Sequence, residues 1–94
     1  MTVGLRTESG ELTDAAYERQ NLRLRAETDG RWSNSEEVRF EPFSAWAVEP
    51  VVAWFIAGPD GVELATEPLD EPEPVREGHQ ALFKPGDLVV RIED

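Results

Sequence analysis

Side chains suited to nucleophilic or acid–base chemistry are few in this chain. The single histidine, His79, follows Gly78 at the start of a predicted strand, and cysteine is absent. A serine nucleophile needs a histidine in a cleft with an oriented partner. The four serines occupy predicted turns or loops without a nucleophile-elbow motif: Ser9, Ser33, Ser35 and Ser44. The pattern therefore predicts no catalytic residues, and His79 is interpreted as a surface strand residue.

Acidic residues crowd the proline-rich segment 67–78. Asp70, Glu71 and Glu73 offer the oxygen ligands that Ca²⁺ takes. Their spacing matches no calcium-loop pattern, however, and two prolines interrupt it. A solvated run of charge is the preferred interpretation, with adventitious cation binding as the alternative. We expect no metal site and no cofactor.

Three tryptophans could form a platform for carbohydrate. Trp54 lies inside a long apolar run and is predicted to be core, whereas Trp46 begins a predicted strand and is expected to pack on its end. Trp32 follows a glycine and an arginine in a loop-like place, so it is the predicted exposed aromatic. It either contacts a partner or caps the core.

Composition limits the function classes. A chain of 94 residues makes one domain, 1–94, with a single thin core. Its net charge of -11 argues against nucleic acid and against an anionic membrane surface, because both require a basic face. Without cysteine there is no disulfide and no thiolate ligand for zinc.

Neither a signal peptide nor a membrane span is expected. The first ten residues carry no apolar run after their positive charge, and the longest apolar run, Val51 to Gly58, is eight residues long. These patterns predict a soluble protein.

Strand signals dominate the pass along the chain. Period-two alternation marks "TVGLRT", "QNLRLRAE" and "EEVRFEPF" as half-buried antiparallel strands. The unbroken run "VVAWFIA" predicts a strand covered on both faces. It forms a predicted hairpin with "VELAT" through the turn Gly58-Pro59-Asp60-Gly61.

The remaining segments are connections and a closing hairpin. "LTDAAYERQ" predicts a loop with one helical turn, and "EPLDEPEPVREG" an exposed connection or a blunt sheet edge. "HQALF" and "DLVVRI" are predicted to pair through a type II turn at Lys84-Pro85-Gly86, with Leu88, Val90 and Ile92 on one face. Together these signals predict an all-β fold, a small antiparallel β-sandwich or partly open barrel with at most one helical turn.

Five pieces in order carry a family resemblance. They are "YERQ", "RWSNSEEVRF", "VVAWFIAGPDGVELAT", "PVREGH" and "LFKPGDLVVRI". This order resembles a family of small bacteriophage virion proteins of the minor tail or tail-fibre type, over the chain from Tyr17 onward. The chain departs from the family pattern at Glu18, at His79 and at Pro85, and it lacks the longer N-terminal helical region of many relatives.

The resemblance implies a β-sandwich structural protein of a phage particle, without catalysis. It would lie on the exterior of the capsid or tail after synthesis in the host cytoplasm, with the major capsid protein or tail proteins as partners. Self-association, for example as a trimer, is common for decoration proteins. The candidate interface residues are Leu12, Tyr17, Trp32, Phe43 and Trp46.

Location on the particle stays open at the level of sequence. A short acidic chain with no coiled-coil or collagen-like shaft favours a capsid decoration protein over a tail or fibre protein. Two other hypotheses are a host- or carbohydrate-binding module and a small intracellular adaptor.

Overall fold

The computed structural model describes residues 1–91; positions 92–94, including the predicted inward-facing Ile92, lie outside the described residues. The described chain is built of strands and one 3₁₀ turn at Thr28–Gly30. The strands are β1 (Thr2–Thr7), β2 (Gly10–Glu11), β3 (Gln20–Asn21), β4 (Leu24–Ala26), β5 (Arg31–Asn34), β6 (Val38–Arg39), β7 (Val51–Ala57), β8 (Glu63–Glu73), β9 (Leu82–Phe83) and β10 (Val89–Arg91). The predicted all-β class is confirmed, and the antiparallel sheets do not close into a barrel.

The largest sheet has the order β2-β1-β7-β8, and β3 also pairs with β1. Leu5 lies opposite Trp54 and Gly4 opposite Phe55, so alternate residues of β1 and β7 face the core. Six of the seven residues of β7 are buried, which confirms the prediction of a strand covered on both faces. The core lies between this sheet and the two smaller ones, β10-β5-β4 and β6-β9.

The hairpin of β7 and β8 forms as predicted. The Gly61 amide donates to the Gly58 carbonyl at 2.9 Å, and Gly61 has φ 81°. β8 is longer than predicted, because the proline-rich segment continues it to Glu73 as an edge strand. Of the two alternatives for that segment, the blunt edge is therefore correct, and Pro68 and Pro72 are tolerated because one side of an edge strand makes no ladder bonds.

Two predicted elements differ from the structure. Segment 20–27 divides into β3, which pairs with β1, and β4, which pairs with β5. In place of the predicted helical turn after Leu12, a β-turn joins the Tyr17 amide to the Asp14 carbonyl at 3.0 Å. The Asp14 carboxylate accepts from the Ala16 amide, a local bond that competes with helix formation.

The predicted closing hairpin is wrong in its pairing. The turn itself is present, since the Asp87 amide donates to the Lys84 carbonyl at 3.0 Å and Gly86 has φ 88°. Yet β9 pairs with β6 and β10 pairs with β5. The fully buried Asn34 holds the turn against β5, because its Oδ1 accepts from the amides of Gly86 and Leu88.

Candidate docking surface

Trp46 and Val48 form the most exposed apolar surface among the described residues. Trp46 is 71% exposed and Val48 is fully exposed. Both lie in the loop between β6 and β7, so the prediction that Trp46 begins a strand and packs on its end is wrong. The Arg76 guanidinium lies over the indole, 5.4 Å from the ring centroid. We call residues 44–49 the Trp46 loop.

Hydrogen bonds from three other segments hold the Trp46 loop. The Ser44 amide and hydroxyl both donate to the Asp14 carboxylate at 3.0–3.1 Å. The Ala47 amide donates to the Val75 carbonyl at 3.0 Å, and the Ser9 hydroxyl donates to the Glu49 carboxylate at 2.8 Å. The loop therefore presents Trp46 in a fixed position.

Asp14 carries an electrostatic signature of this anchoring. Partial desolvation raises the pKa of its carboxyl group, but hydrogen bonds from Ser44 and Ala16 outweigh that effect and lower the pKa below the ordinary value. The ionised form is thus the form that holds the loop.

Leu12 and Phe43, two of the predicted interface residues, support the loop from below. They are only 6% and 2% exposed and belong to the core. Phe43 exchanges backbone hydrogen bonds with His79 and Gly78 at 2.8 and 2.9 Å. Their predicted place at an interface is corrected, because a buried side chain offers no surface to a partner.

A shallow cleft of about 230 Å³ lies beside the Trp46 loop. Its walls come from the β1–β2 turn, including Thr7 and Ser9, and from Val48 and Glu49 of the loop. Leu12 lines it as well. The exposed apolar surface thus continues from Trp46 and Val48 into a concave region.

Tyr17, also a predicted interface residue, is used inside the fold. Its hydroxyl accepts from the Leu5 amide at 3.0 Å and donates to Glu11 at 2.6 Å. Its ring stacks on Phe40 with centroids 6.0 Å apart. Desolvation, together with the Glu11 carboxylate, raises the pKa of Tyr17. These contacts leave the side chain half-buried, with its polar end bound on both sides.

Trp32 is exposed as predicted, at 36%, but its position is not a loop. It lies in β5, opposite Val90 on one side and Ala26 on the other. The structure therefore separates Trp32 in the small sheet from Trp46 in its loop, and does not bring the candidate aromatics together.

His79 lies in a turn and not in the predicted strand. Its amide donates to the Arg76 carbonyl, and Nε2 is 2.9 Å from a Glu73 carboxylate oxygen. Within residues 1–91 there is no group of three or more acids and histidines placed to hold a metal ion. In the same range, no helix is long and apolar enough to span a bilayer.

Comparisons with protein-family models, with curated proteins and with solved structures found no match to this chain.

Proposed function

We propose that the chain is a non-enzymatic virion structural protein of a bacteriophage. In this proposal it is a capsid decoration protein, docked in many copies on the particle exterior through contacts with the major capsid protein. The observation that carries the docking part is the Trp46 loop, an exposed tryptophan and valine on a backbone fixed at three points. The phage assignment rests on the order of sequence pieces that resembles the virion family.

The Trp46 loop has the physical properties of an interface centre. Tryptophan is enriched among the residues that dominate binding energy, because one side chain buries a large area. A loop already held by Asp14, Val75 and Ser9 loses little conformational entropy on docking. Both features favour binding to a protein surface.

Charge supports a basic partner. With a net charge of -11, copies of this chain repel one another in solution and are attracted to positive patches on a lattice. Such a charge steers many copies onto a shell without promoting non-specific association between free copies.

The alternative is a minor tail or tail-fibre protein that contacts the host surface or a carbohydrate. The exposed face of Trp46 favours this alternative specifically, since aromatic rings serve as platforms for sugar rings. The two functions differ in copy number, and in whether the ligand is a virion protein or a cell surface.

The deciding experiment counts this chain in purified particles of the phage that encodes it. Decoration predicts many copies in fixed ratio to the major capsid protein, and the tail alternative predicts a handful. Trp46→Ala should weaken binding of the purified protein to shells that lack it by about tenfold or more.

Trp32→Ala is the matched control, because it removes the same side chain from the β10-β5-β4 sheet. We expect unchanged binding for that variant. Equal losses for both variants would refute the Trp46 loop as the docking surface. Absence of the protein from particles would refute both virion roles.

A further inference from the structure

A second cleft, of about 330 Å³, opens at the edge of the largest sheet. It lies between β8 and the Lys84–Asp87 turn, and Leu69, Phe83 and Val89 supply apolar walls. Its volume falls at the small end of the range for ligand sites. No residue of this cleft belongs to the Trp46 loop, so the two surfaces are distinct.

Trp54 brings a polar group to this cleft. The side chain is only 5% exposed, and its indole Nε1–H donates to no acceptor within residues 1–91. No side-chain nitrogen or oxygen in the described range is both sealed from solvent and without a partner, so this N–H reaches solvent. Because Trp54 lines the cleft, its small accessible surface opens there. A donor that is nearly buried but unsatisfied calls for an acceptor from outside.

Two carboxylates beside Trp54 also lack partners. Glu67 lies directly opposite Trp54 in the β7–β8 register and therefore on the same face of the sheet, and Asp70 follows on β8. Within residues 1–91 neither forms an ion pair, in contrast to Glu11 and Glu63 on the same sheet.

A third carboxylate faces them across the cleft. Asp87 accepts from the Lys84 amide through Oδ2 at 2.8 Å, so its other oxygen can bind a ligand. Like charges gathered at an apolar cleft repel one another, and a cation placed between them relieves that repulsion.

We propose that this cleft binds an arginine side chain of a partner protein. A guanidinium offers five N–H donors in a planar fork, which suits Glu67 and Asp70 together. The methylene stem packs on Leu69 and Phe83, and a backbone carbonyl of the partner accepts the Trp54 N–H.

Other occupants fit less well. The three carboxylates repel an anion, and the described residues hold no group placed to bind a metal ion. A strand added to the edge of β8 meets Pro68 and Pro72, which have no N–H to donate. The partner's identity as a virion protein rests on the proposed function, whereas recognition of arginine by the cleft does not.

The test is an NMR titration of the purified protein with N-acetyl-arginine amide, following the Trp54 indole N–H resonance. We expect saturable shifts with a dissociation constant on the order of millimolar, since one side chain makes few contacts. N-acetyl-citrulline amide has the same shape without the charge, and we expect no binding. Equal binding of the two probes, or no shift of the indole resonance, would overturn the proposal.

Paired variants assign the effect to the cleft. The double variant Glu67→Gln/Asp70→Asn should weaken arginine binding about fivefold. Glu41→Gln/Glu77→Gln removes the same charge from exposed positions outside the cleft and should leave the affinity unchanged. Equal weakening in both would mean general attraction to an acidic protein and would refute the site. Arginine binding by a protein that is absent from particles would retain the cleft and reject only the virion role.

Discussion

On the outer face of the largest sheet, the charged groups around Phe55 are paired, whereas Glu67 and Asp70 in the arginine cleft have no partner within residues 1–91. Guanidinium groups of Arg6 and Arg19 lie 4.8 and 4.9 Å from the Phe55 ring centroid and cover it. Phe55 is consequently only 1% exposed, although it points away from the main core.

The paired face is closed by reciprocal contacts. Arg19 binds the Glu11 carboxylate through two nitrogens at 2.9 Å, and Arg6 pairs with Glu63. Those charges are engaged in covering an aromatic ring, so they stabilise the fold. The carboxylates of the cleft contribute no such contact. The comparison indicates that one region uses charge for folding and the other holds charge available for a partner.

Removing Asn34 should abolish the wall of the cleft with the largest loss of stability. Its buried side chain makes four hydrogen bonds to backbone groups, at Glu36, Lys84, Gly86 and Leu88. Asn34→Ala leaves these groups without that partner, so we expect a loss of roughly 4 kcal/mol in the free energy of unfolding. Chemical denaturation measures it.

The control for Asn34 is Asn21→Ala, at an exposed position of β3. A change within about 0.5 kcal/mol is expected there. If Asn34→Ala were equally mild, the turn would not depend on the Asn34 contacts, and the cleft wall would need another support.

Gly4→Ala tests the tight packing of the paired face. A Cβ at Gly4 would meet the Phe55 ring, and it would lie 2.7 Å from the Tyr17 hydroxyl. Neither neighbour can move easily, because Phe55 is covered by two guanidinium groups and Tyr17 is hydrogen-bonded at both sides. We expect a loss of about 3 kcal/mol in thermal or chemical unfolding.

Gly58→Ala is the matched change at the other end of β7. Its Cβ would lie 3.3 Å from the Asp60 carboxylate, a flexible neighbour, so the expected cost is below about 1 kcal/mol. Similar losses for both glycines would show that the paired face tolerates an added methyl group and is less closely packed than the geometry indicates.

Local signals predicted the part of the fold that depends on neighbouring residues. The unbroken apolar run Val51–Ala57 and the turn after it determine the hairpin, and Gly86 adopts the positive φ that its turn requires. The pairing of β10 with β5 depends on Asn34, whose contacts lie 50 or more residues away in sequence. An asparagine between a serine pair is typical of a loop, so its buried role had no local signal.

The candidate site was less predictable, because residue type does not report exposure. Trp54 and Trp46 are 5% and 71% exposed, and the difference comes from the segments packed against them. Glu67 and Asp70 belong to an acidic, proline-rich segment that predicted only a solvated run. They line a cleft because Phe83, distant in sequence, closes its opposite side.

The smallest effect separates the two kinds of carboxylate by pH. The hydrogen bond from Arg19 lowers the pKa of Glu11 below its ordinary 4.5, against partial desolvation, and Tyr17 adds to the lowering. Because the folded state has the lower pKa, this contribution is fully present above pH 4.5 and is lost as the pH falls through the folded value. At pH 7, Glu11→Gln should therefore be less stable than the unmodified protein by roughly 1 kcal/mol.

That difference should shrink as the pH is lowered from 7 towards 3 in urea unfolding series, because protonation removes the same interaction from the unmodified protein. Glu67→Gln is the counterpart from the cleft, and we expect its free energy of unfolding to stay within about 0.5 kcal/mol of the unmodified protein at pH 7. A loss for Glu67→Gln as large as that for Glu11→Gln would mean that the cleft carboxylate also stabilises the fold. The contrast between paired and available charge would then fail.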